Sequence, residues 1–282
     1  MNPFATHLID MALKEDIVSG DITTENLVDA DLNGKGIMIA KEPMLIAGLN
    51  IAEQVFQHLQ PDVEFRSSHS DGDTVQTGDV VLEIHGRLRT LLIGERTALN
   101  FLQRLSGIAS NVRAYADVLA GKNVRLVDTR KTTPGWRCLE KYAVRVGGGH
   151  NHRMGLYDGV LIKDNHIAVS GGITRAVERI RQKGSHLLKI EVETTTPEEV
   201  AEALEAGADI IMLDNMSVEQ IRKAVSVING KAQVEVSGNV TLDRLPALAD
   251  TGVDIISVGA LTHSARSMDI SMKIEPLGGP RS

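Results

Sequence analysis

Arg130, Lys131, His152, Arg153 and Lys163 concentrate basic side chains in one stretch of an otherwise acidic chain. Residues 127–166 read VDTRKTTPGWRCLEKYAVRVGGGHNHRMGLYDGVLIKDNH. The apolar runs VRLV (124–127) and VLI (160–162) are each followed at once by charge. Short apolar runs of this kind read as buried strands of a parallel sheet, and α/β folds bind their ligands where such strands end. Arginine pairs bidentately with carboxylates, so this cluster suits a ligand bearing several negative charges, a polycarboxylate first of all. Further strand ends add two acids, Glu193 and Asp214, a pair suited to ribose hydroxyls or to a Mg²⁺ that carries a pyrophosphate. Later ends are small: Ser237, Gly238 and Asn239, then Gly259 and Ala260. Backbone N–H groups in such loops can approach a phosphate closely. A helix-capping role explains any one of these residues. It does not explain Arg130, Lys131 and Lys163 at the level of Glu193 and Asp214.

The elements that must position these residues form a rhythm from Gly121 onward. Apolar runs at 124–127, 160–162, 187–192, 209–213, 233–236 and 254–258 alternate with helical patterns at 171–183, 197–206, 217–229 and 241–250. Repeated βα units with right-handed crossovers point to an α/β barrel. An open doubly wound sheet is the runner-up, disfavoured because no GxGxxG follows the first strand. Upstream, the periodicity predicts helices over 4–15 and 49–59, a loop over 16–21 with a cap in 21–25, and a strand pair within 34–48 split by Pro43. Residues 87–120 read as helical with a break at Gly107. Arg96 lies in this segment, within GERTALN. Taken alone it is a solvated or salt-bridged residue, unless the helix reaches a site in its own or a neighbouring subunit. The segment 71–86 resembles the strand-turn-strand repeat of biotinyl and lipoyl carriers. No Lys occurs between Lys41 and Lys122, so its role is structural.

Composition narrows the class. The 282 residues are 42% apolar with a net charge of −7, which disfavours nucleic acid as a general partner. A single cysteine, Cys138, excludes an internal disulfide and fits a reducing compartment, and its neighbours suggest packing over nucleophilic chemistry. No apolar run is long enough to span a bilayer and no secretory pattern opens the chain, so a cytoplasmic protein with no membrane partner is expected.

The motifs DTRKTTPGWRCLEKYAVRVGGGHNHR and LIKDNH, with ERTALNFLQRLSGIA upstream and LDN, VSGN and VGALTHS downstream, resemble the quinolinate phosphoribosyltransferases, or carboxylating nicotinate-nucleotide pyrophosphorylases. The resemblance covers nearly the whole chain. It implies an N-terminal α/β sandwich domain over 1–110, a C-terminal incomplete α/β barrel over 111–267, and a tail, 268–282, that returns to the first domain. It implies a pentosyltransferase of de novo NAD biosynthesis, a glycosyltransferase that joins phosphoribosyl pyrophosphate to quinolinate with loss of CO₂. It also implies a homodimer, open to higher assembly. Arg130, His152, Arg153 and Lys163 match positions that hold quinolinate, and Arg96 matches an arginine supplied by the other subunit. Lys131, Glu193 and Asp214 match catalytic positions around the phosphoribosyl group, with Glu193 and Asp214 near Mg²⁺ held mainly through pyrophosphate. Ser237, Gly238, Asn239, Gly259 and Ala260 match phosphate-binding loops, with Asn239 standing where glycine would be natural.

Three other readings compete. A Schiff-base aldolase would use Lys131 or Lys163. A related phosphoribosyltransferase would act on another pyridine or acidic base. A non-enzymatic binding module would be built on 71–86, where the missing lysine argues against it.

Overall fold

The computed structural model describes residues 3–277. The chain opens with α1 (Pro3–Ile17) and α2 (Ile22–Leu27). It continues through β1 (Asn33–Ala40), β2 (Met44–Leu45), α3 (Leu49–Leu59), β3 (Glu64–Arg66), β4 (Thr74–Val75) and β5 (Val80–Arg87) into the long helix α4 (Leu88–Val118). Next come β6 (Arg125–Val127), α5 (Arg137–Val146), β7 (Val160–Ile162), α6 (Asp164–Ser170), α7 (Ile173–Lys183) and β8 (Ile190–Thr194). The last elements are α8 (Pro197–Glu205), β9 (Ile210–Asp214), α9 (Val218–Ile228), β10 (Gln233–Ser237), α10 (Leu245–Ala249), β11 (Ile255–Ser257), α11 (Ala260–His263) and β12 (Ile270–Pro276). They form two compact units. One holds the chain up to Arg113, Thr132–Gly148 and the chain from Ser264. The other holds Ala114–Lys131 and Gly149–His263. The expected boundaries, 110/111 and 267/268, did not anticipate that 132–148 would group with the N-terminal residues. Residues 278–282 of the expected tail lie outside the described residues.

In the first unit an antiparallel sheet runs β12-β1-β5-β3. Alternate residues of β1 are buried, as a strand with one covered face requires. β12 pairs along β1 from Gly34↔Pro276 to Ala40↔Ile270. The apolar face of α3 buries Ile51, Val55 and Phe56. Its first turn is capped from afar: Asp71 accepts the N–H groups of Gly48 (2.8 Å) and Leu49 (3.0 Å). Asp71 also accepts the Tyr142 hydroxyl at 2.5 Å, which ties α5 into this unit. Glu140, fully buried on α5, pairs with Arg104 of α4 at 2.9 Å and accepts the Thr133 hydroxyl at 2.9 Å. Trp136 stacks on Phe101 with centroids 4.7 Å apart. These contacts account for 132–148 leaving the rhythm of the later strands.

The predicted break at Gly107 is overturned: α4 is one continuous helix of 31 residues. A Cβ at Gly107 would collide with the backbone oxygen of Arg266. Glycine there serves close backbone approach, at the usual cost in helix propensity.

The second unit is a parallel sheet in the order β6-β11-β10-β9-β8-β7. Five strands follow in sequence and β6 joins beyond β11. In a closed barrel β6 would also pair with β7. Here the free edge of β6 carries an isolated bridge from Val127 to His150, so the barrel is incomplete. Val192, Ile211, Leu213, Val236 and Ile256 are buried in the sheet. Capping boxes at Thr196–Glu199 and Ser217–Gln220 start α8 and α9. The intervening residues on these strands project to the opposite face, where Glu191, Glu193, Asp214, Glu235 and Ser237 gather. The register aligns Glu193 and Glu235 with the same residue, Met212. Strand β8 begins at Ile190, later than the 187–192 run suggested, because Ser185–Leu188 forms a turn. No described helix is long and apolar enough to cross a membrane.

Candidate active site

Within the second unit a cavity of about 220 Å³ opens at the carboxyl ends of the strands. Arg130, Lys131, His152, Arg153 and Lys163 line it, with Leu161, Met212, Glu235 and Ser257 among the remaining walls. The cationic residues come from two connections, the one after β6 and the one before β7, brought side by side by the His150 bridge.

Asp128 fastens these connections together. It is fully buried at the end of β6. One carboxylate oxygen accepts the His152 backbone N–H at 2.9 Å and the other accepts Asn151 Nδ2 at 2.7 Å. His152 Nδ1 in turn accepts the Arg153 N–H at 2.8 Å. Arg153 Nη1 donates to the Gly159 carbonyl at 3.0 Å, which fixes the guanidinium against the start of β7. Burial, followed by repulsion from Arg130, pulls the Arg153 pKa down from its ordinary value. Two adjacent guanidiniums in a shielded pocket are an electrostatic vacancy for an anion with more than one carboxylate.

The remaining predicted residues do not line this cavity but lie on neighbouring strand ends. Glu193, on β8, forms an ion pair with Lys163. Asp214, which ends β9, accepts the Asn215 side-chain amide at 2.8 Å. Asn215 N donates to Ser237 O at 3.0 Å, and Asn239 Nδ2 donates to Asn215 Oδ1 at 3.0 Å. Gly238 has φ +86°, and a Cβ on it would collide with the Asn215 side chain. Asn239 has φ +50°, a left-handed conformation that asparagine tolerates better than most residues, so it can stand where glycine was expected. At Gly259 an added Cβ would lie 3.0 Å from Lys131 Cδ and 3.1 Å from His263 Nε2, so glycine leaves room for the Lys131 stem. Thr262 Oγ1 donates to the Lys131 carbonyl at 2.8 Å, tying Ala260 and its short helix to the β6 end.

Arg96 stands apart from the cavity. It is exposed on α4 and lines a separate hollow of the first unit beside Leu8, Met11 and Trp136. Cys138 is half-buried, and burial raises its thiol pKa, which suits packing over nucleophilic chemistry.

Sequence reasoning missed three residues of the site. Asp128 was noted only as a charge at a strand end. Glu191 and Glu235 were passed over, although each is an acid in the middle of an apolar strand, and that interruption was the available signal. Both are almost wholly buried, at 4% and 1% exposure. His152 Nε2 lies 3.0 Å from Glu191 Oε2 and 3.6 Å from Glu235 Oε1.

A parallel, incomplete α/β barrel with a polybasic cavity at its strand ends and glycine-containing loops beside it defines an enzyme class that handles multiply charged anions. The chain belongs to the quinolinate phosphoribosyltransferase family. Residues 21–106 match that family's N-terminal domain and residues 108–273 its C-terminal domain. The chain is 45% identical to the probable carboxylating nicotinate-nucleotide pyrophosphorylase of Bacillus subtilis, over 95% of this chain and 92% of that one. It is 41% identical to the decarboxylating quinolinate phosphoribosyltransferase 1b of Nicotiana tabacum, over 95% of this chain and 81% of that one. The solved structure of NadC from Streptococcus pyogenes is similar across 99% of both chains, with a TM-score of 0.94 and 44% identity.

Proposed function

We infer that this chain transfers phosphoribose from phosphoribosyl pyrophosphate to the ring nitrogen of quinolinate. The ring then loses its 2-carboxylate as CO₂, and nicotinate mononucleotide and pyrophosphate leave, a step of de novo NAD biosynthesis. The observation that carries this reading is the Arg130–Arg153–Lys163 cavity, whose paired guanidiniums suit a small dicarboxylate.

In this reading Arg130, Arg153, His152 and Lys163 hold the two carboxylates and so turn the ring nitrogen toward C1 of the ribose. Such orientation alone supplies several orders of magnitude in rate. Lys131, beside Gly259, neutralises phosphate charge, while Ser237, Gly238, Asn239, Gly259 and Ala260 offer backbone N–H donors. Glu193 and Asp214 stabilise the positive charge that develops on the ribose as pyrophosphate departs. These two carboxylates, on neighbouring strands and with Glu193 already engaged by Lys163, fit a Mg²⁺ that takes most of its ligands from pyrophosphate. The ion would supply charge for the leaving group. Quaternising the nitrogen makes the ring an electron sink, which allows the 2-carboxylate to leave.

The exposed Arg96 suits donation to a second copy of the chain, in a homodimer whose pockets are each completed by the partner. A cytoplasmic location follows in the same reading. Incubation with quinolinate, phosphoribosyl pyrophosphate and Mg²⁺ tests the activity by release of CO₂ and formation of nicotinate mononucleotide. Turnover of nicotinate but not quinolinate would overturn the assignment in favour of a related phosphoribosyltransferase.

A further inference from the structure

The acids that interrupt β8 and β10 have no role in the chemistry above. Glu235 lines the cation cavity, and Glu191 stands across from it. Both face His152 Nε2. His152 Nδ1 already accepts the Arg153 backbone N–H at 2.8 Å, so the neutral ring carries its proton on Nε2, turned toward the two carboxyl groups. Glu191 Oε1 and Glu235 Oε1 have no hydrogen-bond partner among the described residues. Two ionised carboxylates cannot share so dry a place without strong repulsion. Burial first, and then the neighbouring Glu191, holds the Glu235 carboxyl well above the usual carboxylate range. The three groups stand close enough to surround a cation. A metal would need the Nε2 lone pair, which would move the ring proton to Nδ1 against the Arg153 N–H. The arrangement is built for a proton.

The reaction inferred for this site needs one. When the bond between C2 and its carboxylate breaks, CO₂ leaves and the electron pair stays on C2. A proton must then reach that carbon. Arginine does not release protons in proteins, and Lys163 is engaged with Glu193. We propose that Glu235 is the acid that protonates C2 of the pyridinium ring as CO₂ departs, with His152 and Glu191 as positioning residues. The Glu235 O–H bond breaks and a C2–H bond forms. The carboxylate left on Glu235 recovers its proton from water when the product leaves. This role rests on the quinolinate reading.

The test is single-turnover kinetics of the wild type and Glu235→Gln with quinolinate, phosphoribosyl pyrophosphate and Mg²⁺, following pyrophosphate release and nicotinate mononucleotide formation separately. Glutamine keeps the shape and a hydrogen-bond donor but has no acid proton. In E235Q, pyrophosphate release and the quinolinate KM stay within about twofold of the wild type, while nicotinate mononucleotide forms at least ~100-fold more slowly. Wild-type nucleotide formation in E235Q, or an equal loss of both steps, overturns the proposal. If thermal unfolding shows that E235Q does not fold, Glu235→Asp decides. An acid withdrawn by one methylene slows nucleotide formation about tenfold at near-normal pyrophosphate release, and equal changes in both steps overturn the proposal. A wild type that makes no nicotinate mononucleotide at all overturns the reaction itself, and the role of Glu235 with it.

Discussion

The buried carboxylate of Asp128 accepts the backbone N–H of His152 at 2.9 Å. A residue that ends one strand thereby holds in place the cationic segment that precedes another. Asp128→Ala leaves the His152 N–H and the Asn151 amide without their acceptor. A charged hydrogen bond contributes about 1.5–3 kcal/mol, so a stability loss in that range is expected in urea unfolding. The quinolinate KM rises with it, because His152 and Arg153 lose their anchor. A variant with native stability and native KM would show that Asp128 is not needed to hold the segment.

Removing charge from the pocket gives a separate signature. Arg130→Ala or Arg153→Ala is expected to raise the quinolinate KM roughly tens-fold, from ~1.5–3 kcal/mol per charged hydrogen bond. The KM for phosphoribosyl pyrophosphate should stay near its original value. Steady-state kinetics with each substrate varied in turn checks this, and unchanged quinolinate kinetics in Arg153→Ala would remove that residue from the pocket.

Subunit mixing tests Arg96. Arg96→Ala and Arg153→Ala proteins should each be weak alone. After subunits exchange, the mixture should regain activity, because some pockets then pair a wild-type Arg96 with a wild-type Arg153. Activity that remains at the sum of the two separate variants would exclude a shared site.

Gly107→Ala places two effects in opposition. Alanine is better than glycine within a helix by about 1 kcal/mol. The added methyl would collide with the Arg266 carbonyl, and overpacking costs typically ~1–3 kcal/mol. The clash is against backbone, which cannot step aside as a flexible side chain does, so net destabilisation is expected. A raised melting temperature would contradict the close approach.

Acid stability should report on Glu42. Two hydrogen bonds from Arg266, at 2.7 and 2.5 Å, together with the Asp269 N–H, hold its carboxyl down to about 2. A depressed carboxylate pKa stabilises the folded state above the unfolded value, and that contribution is lost as pH falls through the folded one. The stability gap between wild type and Glu42→Gln should therefore be full at neutral pH. It should shrink as pH falls below the ordinary carboxylate value of 4.5 and vanish below about 2. Arg266 is largely exposed, so salt should narrow the gap at neutral pH.

Local pattern carried much of this protein. The βα rhythm, the helices α1, α3 and α7–α9, and the cationic residues that line the cavity were all legible, because amphipathic periodicity and charge at strand ends are properties of neighbours in the chain. Arg130, Lys131, His152, Arg153 and Lys163 share one cavity as their spacing suggested. Tertiary structure alone decided the rest. It grouped 132–148 with the N-terminal residues through Glu140–Arg104 and Tyr142–Asp71, contacts whose partners lie far apart in sequence. It kept α4 whole at Gly107, where a backbone from the end of the chain comes close. It also turned Glu191 and Glu235 toward one imidazole. An acid within an apolar strand announces that something unusual is buried there, but which partner it meets depends on strand order and register, and those are settled only when the sheet assembles.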